Sequence, residues 1–128
     1  KTVEDIMIRG NKIPFVKENL KMNRALKILT EKKLGILIVL NKKNKTVGII
    51  TDGQIRRFSE KKFDFRLLPV RKIMTKKPVF IDKDQLAAKA LSIMNNKKIT
   101  SLIVNQKRYP QKAIGVIHIH TILQSNIS

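Results

Sequence analysis

The sequence predicts an α/β (α+β) fold of two βαββα repeats packed about a pseudo-twofold axis. Three observations predict it. First, segments recur: Ala25-Leu26-Lys27-Ile28-Leu29 returns 65 positions later as Ala90-Leu91-Ser92-Ile93-Met94. Lys33-Leu34-Gly35-Ile36-Leu37-Ile38-Val39 returns at the same offset of 65 as Lys98-Ile99-Thr100-Ser101-Leu102-Ile103-Val104, and Gly48-Ile49-Ile50 returns 67 later as Gly115-Val116-Ile117. A repeat of this length outranks other signals when a fold is assigned. Second, each copy places an apolar stripe of helical spacing ahead of two short β-branched runs. Third, at 128 residues each copy alone would remove little surface from water, so the two are expected to share a core and to line one cleft with their strand ends and helix N-termini.

The elements follow in order. Ile13-Pro14-Phe15-Val16 is a short extended stretch. Met22, Ala25, Leu26 and Leu29 fall at i, i+3, i+4 and i+7, one face of a helix, with Asn19 or Asn23 as its cap. Ile36 to Leu40 is a continuous apolar run, the mark of a strand buried on both faces. Asn41 to Lys45 is a polar turn, Val47 to Thr51 a second strand, and Asp52 starts a helix through Ile55-Arg56-Arg57. The second copy repeats the order: extended Pro78-Val79-Phe80-Ile81, a cap at Asp82 or Asp84, and a helix striped by Ala87, Ala90, Leu91 and Met94. Then come a strand at Leu102 to Val104, a turn from Asn105 to Lys112, a strand at Ile114 to His118 and a short helix through Ile122-Leu123. The repeats are bounded as 1–60 and 70–128, with 61–69 as connector, where Pro69 breaks any helix.

Composition narrows the function classes. The apolar share of 42% suffices for a globular interior. The net charge of +19 attracts phosphates in a salt-dependent way. It is spread evenly, however: residues 1–64 carry 16 Lys and Arg against 7 acids, and residues 65–128 carry 12 against 2. Only 7 of the 28 basic residues are Arg, and aromatics make up 5% with no Trp. Base reading leans on Arg and base stacking on aromatics, so the charge reads as a surface bias and argues against specific nucleic-acid binding. With no cysteine, disulfides and thiolate chemistry are excluded. No apolar run spans a bilayer and the start lacks a signal-peptide core, which points to the cytoplasm and to no membrane partner. The chain opens inside a motif and without Met, as a piece of a longer protein would.

Val3-Glu4-Asp5-Ile6-Met7, Val70-Arg71-Lys72-Ile73-Met74-Thr75, Lys76-Lys77-Pro78-Val79, Gly48-Ile49-Ile50-Thr51-Asp52 and Lys98-Ile99-Thr100-Ser101-Leu102 together resemble a tandem CBS-domain pair, or Bateman module, over almost the whole chain. A narrower likeness rests on Thr51-Asp52-Gly53 with Arg56-Arg57, and on His118-Ile119-His120. These resemble the C-terminal regulatory part of bacterial arabinose-5-phosphate isomerases. In that family a CBS pair follows a catalytic sugar-isomerase (SIS) domain that interconverts ribulose 5-phosphate and arabinose 5-phosphate, toward the lipopolysaccharide sugar Kdo. The resemblance implies a regulatory part with no isomerase activity of its own, needing no cofactor, whose partners are a nucleotide or nucleotide-sugar ligand, the SIS domain and further copies of the pair.

The resemblance also suggests where a ligand would bind. CBS pairs that hold adenosine nucleotides use a Thr or Ser at the end of the third strand for phosphate and an Asp three residues later for the ribose hydroxyls. Here those positions are Thr51 and Gln54, then His118 and Thr121. The ribose carboxylate is lost in both repeats, with Asp52 as a neighbouring substitute. The candidate ligand-binding residues are therefore Thr51, Asp52, Arg56, Arg57, Thr75, Thr100, Ser101, His118 and His120. Each has a plain structural role beside the functional one. Thr51 and Asp52 suit a helix N-cap. Of Arg56 and Arg57, one forks toward an anion, while the other is solvated or pairs with Asp52 or Glu60. His118 and His120, two apart, would share a strand face; with so few accompanying ligands a metal is disfavoured, leaving hydrogen bonding to a sugar or phosphate, or a strand-end His with a helix cap. Thr75, Thr100 and Ser101 are hydroxyls that suit local backbone bonding equally. No nucleophile–base–orienter set is present and the five glycines are scattered, so no catalytic residue is assigned. The leading reading is a ligand sensor, with CMP-Kdo as a candidate ligand. The competing readings are a dimerisation module with no physiological ligand and a charge-driven nucleic-acid binder.

Overall fold

The computed structural model describes residues 1–125; the end of the second repeat, 126–128, lies outside the described residues. In chain order the elements are α1 (Val3–Ile6), β1 (Phe15–Lys17), α2 (Met22–Lys32), β2 (Ile36–Leu40), β3 (Thr46–Thr51), α3 (Asp52–Ser59), β4 (Phe80–Asp82), α4 (Ala87–Lys97), β5 (Ser101–Asn105), β6 (Gly115–His118) and α5 (Ile119–Gln124). They form two compact units. The first is Pro14–Pro78; the second joins Lys1–Ile13 to the chain from Val79 onward.

Within the first unit the strand order is β1-β2-β3. β1 runs parallel to β2, with Phe15 opposite Ile38, and β3 runs antiparallel to β2, with Ile36 opposite Thr51. β2 is central, and Ile36 to Val39 are all buried. That is why its sequence is an unbroken apolar run rather than an alternating one. Met22, Ala25 and Leu29 bring the apolar stripe of α2 against it, and Phe65, Val70 and Ile73 close the same core. Phe65 belongs to the connector. Just beside it the Arg66 guanidinium grips Asp64 through two hydrogen bonds of 3.0 Å and holds that carboxyl at about 2.

The second unit repeats the plan: order β4-β5-β6, Phe80 opposite Ile103 in parallel and Ser101 opposite His118 antiparallel. Its core gathers Ala90, Met94, Leu102, Val104, Ile117 and Ile122 with Val3 from the start of the chain.

Each unit is closed by a strap, which follows α3 in sequence in the first unit and comes from Lys1–Ile13 in the second. In the first unit Ile49 and Thr75 exchange two backbone hydrogen bonds of 2.9 Å. In the second unit Ile8 and Val116 do the same at 2.8 and 2.9 Å. The straps lie so close that a Cβ on Gly48 would stand 2.7 Å from the Thr75 carbonyl oxygen, and one on Gly115 would stand 2.9 Å from that of Ile8. The matched glycines are therefore a requirement of close backbone approach.

The helix starts differ from the sequence expectation. Neither Asn19 nor Asn23 caps α2: the N-cap residue is Lys21, without a side-chain bond. Neither Asp82 nor Asp84 caps α4: its N-cap is Leu86, and the Asp82 carboxylate instead accepts from the Asp84 N–H. Distant carbonyls take over the exposed donors that every helix start must satisfy. The Met22 and Asn23 N–H groups donate to the Leu68 and Arg66 carbonyls at 2.8 Å, and the Ala87 N–H donates to the Lys1 carbonyl at 2.9 Å. Among the described residues, no helix is long and apolar enough to cross a membrane.

Candidate functional site

In the first unit the candidate residues gather where β3 turns into α3. Thr51 is the N-cap; its Oγ1 accepts from the Gln54 N–H at 3.2 Å. Asp52 opens the helix, exposed, and its N–H donates to the Gly35 carbonyl at 3.1 Å. Gly35 has φ +69°, and a Cβ there would stand 3.0 Å from Asp52 Oδ2, so the carboxylate lies over the bare glycine. One turn on, the Arg57 guanidinium folds back over Gly53, 3.6 Å from where a Cβ would be. Asp52 at the helix start and the two arginines in its last turn both oppose the helix dipole favourably. Among the described residues neither Arg56 nor Arg57 forms a salt bridge with Asp52 or Glu60, and both are exposed, which fits the solvated alternative and not the pairing. Thr75 is exposed, its backbone pinned to Ile49 two residues before Thr51.

Gln54 points into its own unit. It is buried, its Nε2 donates to the Ile73 carbonyl, and its Oε1 has no protein partner. It ties α3 to the strap that ends in Thr75. Gln54→Glu keeps the shape but can donate to the Ile73 carbonyl only while protonated. Buried carboxylates have raised pKa values, so the variant's stability should be nearest wild type below pH ~4.3 and be lost as pH rises above it. Melting temperature measured across that range checks this; an unchanged profile would contradict the buried tie.

In the second unit the matching residues gather where β6 turns into α5. Ser101 pairs with His118 across the sheet, and the Ile119 N–H donates to the Thr100 carbonyl at 2.9 Å, the counterpart of the Asp52–Gly35 bond. His118 is the N-cap: its Nδ1 accepts from the His120 N–H at 3.2 Å, and the two rings stack with centroids 5.1 Å apart. The bond leaves the neutral ring's proton on Nε2. Partial burial, and then the facing His120, hold the His118 imidazole below the ordinary range. The histidines meet through a cap, not by strand alternation, because β6 ends at His118 and His120 lies in the helix. Among the described residues no group of three or more metal-binding side chains occurs.

The structure thus brings Thr51, Asp52 and Arg57 together with the Thr75 strap in the first unit, and Thr100, Ser101, His118 and His120 together in the second. Arg56, next to Arg57 on α3, is likewise exposed. An open depression lies at the far end of β2, between Lys17, Glu18, Leu40 and Lys42, and includes none of these residues. Sequence reasoning missed the inward role of Gln54 and the straps; the paired Gly48 and Gly115 were the one available signal of the latter.

Comparison with known proteins agrees with this geometry. The family model described as CBS domain matches twice, over residues 3–61 and 70–127. The arabinose 5-phosphate isomerase KdsD of Salmonella typhi is 33% identical over 125 residues, covering 98% of this chain and 37% of that enzyme. The chain thus spans little more than a third of the curated relatives it matches. Among solved structures, CBSX2 in complex with AMP has a TM-score of 0.80 at 22% identity, covering 97% of this chain and 94% of that one. The CBS domain pair of protein MJ0100, in complex with 5-methylthioadenosine and S-adenosyl-L-methionine, has a TM-score of 0.83 at 20% identity, covering 98% and 94%. With two matches to the family model, and strands, helices and register repeated in both units, the chain belongs to the CBS-domain family as a tandem pair.

Proposed function

We propose that this chain is the regulatory, non-catalytic part of a cytoplasmic arabinose-5-phosphate isomerase, and that it binds a nucleotide or nucleotide sugar at the β3–α3 and β6–α5 junctions. Binding would alter the packing of an attached SIS domain, which requires different affinities for two arrangements. The likeness to KdsD across 98% of the chain supports the enzyme assignment. The observation that carries the ligand class is Gln54. It occupies the position expected for a ribose-binding carboxylate and is engaged inside the first unit with the Ile73 carbonyl. The exposed Arg56 and Arg57, with Thr51 and Asp52 at the start of α3, suit a ligand bearing phosphate and carboxylate. CMP-Kdo has both groups and requires no adenine site.

Calorimetric titration with CMP-Kdo, AMP and ATP tests this. The expected result is heat from CMP-Kdo below millimolar concentration and weaker binding of both adenine nucleotides. Arg57→Ala should weaken CMP-Kdo by about tenfold, the value of one charge-assisted hydrogen bond. No heat from CMP-Kdo at millimolar concentration overturns the ligand assignment. A second reading, a dimerisation module with no physiological ligand, is favoured by the exposed apolar side chains of Leu67, Leu86 and Leu123. A concentration-dependent dimer whose melting temperature no nucleotide changes would support that reading.

A further inference from the structure

The β6–α5 junction holds a feature that ligand sensing does not require. α5 has one side-chain cap, and that cap is a titratable ring: His118 Nδ1 accepts from the His120 N–H at 3.2 Å. The residue whose N–H is capped carries a second imidazole, stacked on the first at 5.1 Å and 29°. A Ser, Thr or Asn would cap the turn without responding to pH in this range. His118 is half-buried and His120 exposed, so solvent protons reach the pair from the His120 side.

We propose that His118 and His120 form a proton-operated latch on α5, in which a proton taken from solvent by His118 Nδ1 removes the cap acceptor and frees the first turn of the helix. The proton occupies the lone pair that held the His120 N–H, so two donors then face each other and the bond is lost. Protonation of His120 as well would stack two cations, which opposes the closed arrangement further.

Charged groups on the elements packed against β6 and α5 do not offset this. On α1, Glu4 lies 3.6 Å from Lys83, and the Asp5 carboxylate accepts from the Thr2 N–H at 2.9 Å; on the strap paired with β6, the Arg9 guanidinium donates to the Glu4 carbonyl at 2.6 Å. On α4 the ionisable groups are Lys89 and Lys97, both exposed, and β5 carries none. Among the described residues, burial and then the facing His120 act on His118, both against the cation. The sign follows. A base whose pKa is lower when folded than the unfolded value near 6.5 leaves the unfolded chain binding more protons between the two values. The latch is fully closed above pH ~6.5 and opens as pH falls through the lowered value.

Amide hydrogen exchange of the whole chain between pH 7.5 and 5, expressed as protection factors, tests the proposal. The His120 amide should lose protection by about fivefold on acidification, the factor expected for one lost N-cap, while Ile103 and Val116 keep theirs. His118→Asn, which keeps a cap acceptor without titrating in this range, should hold the α5 amides at their pH 7.5 protection throughout. His120→Gln should retain the transition but move it to higher pH. Equal loss in wild type and His118→Asn overturns the latch, as does unchanged α5 protection in wild type down to pH 5. Neither arm involves a ligand, so the outcome is independent of the calorimetric test.

Discussion

Gly48→Ala and Gly115→Ala should each destabilise the protein by about 2–3 kcal/mol, a fall in melting temperature on the order of 10 °C. The added methyl would meet the Thr75 carbonyl oxygen in one case and that of Ile8 in the other, together with a methionine sulfur. The sulfur sits on a flexible side chain and can give way. The carbonyls cannot, because each strap residue is held by two backbone hydrogen bonds to β3 or β6. Gly53→Ala is the control. Its Cβ would meet the Arg57 guanidinium at an ordinary 3.6 Å within α3, and alanine is the better helix former, so no loss is expected there. Thermal melting of the three variants separates the cases. Wild-type stability in Gly48→Ala would mean that the strap is not seated against β3.

Val3→Asp is the second large effect, and where the damage appears matters more than its size. Val3 is fully buried in the second unit, beside Leu102, Val104 and Ile117. An unpaired carboxylate placed there costs at least about 3 kcal/mol. Amide exchange should show loss of protection in β5 and β6, encoded about a hundred residues or more downstream, while β2 and β3, nearer in sequence, are spared. Loss concentrated in β2 and β3 would contradict the packing of α1 described above.

The pattern of what could be read beforehand has a physical cause. β2 was legible because a central strand buried on both faces must be apolar at every position, and Ile36 to Val39 are. The stripes of α2 and α4 were legible because helical spacing is a local property. The caps were misjudged because the groups that satisfy the Met22 and Ala87 amides, the carbonyls of Leu68 and Lys1, are backbone atoms that any residue carries. No side-chain pattern records them. Likewise, sequence order places Val3 to Met7 inside the first repeat, 1–60, and only tertiary hydrogen bonds such as Val3 N–H to the Gln85 carbonyl assign that segment to the second unit. In the candidate site, Thr51 could be read as a cap from its chemistry and position. Gln54 could not, because the carbonyl that it bonds, that of Ile73, lies 19 residues away on a strap whose placement was unknown.

The straps also set the order of biogenesis. During translation the Pro14–Pro78 unit has all its parts as soon as its own strap leaves the ribosome. Lys1–Ile13, made before the rest of the pair, must wait for β6 before it finds its place, so a stretch synthesised early is among the last to be fastened.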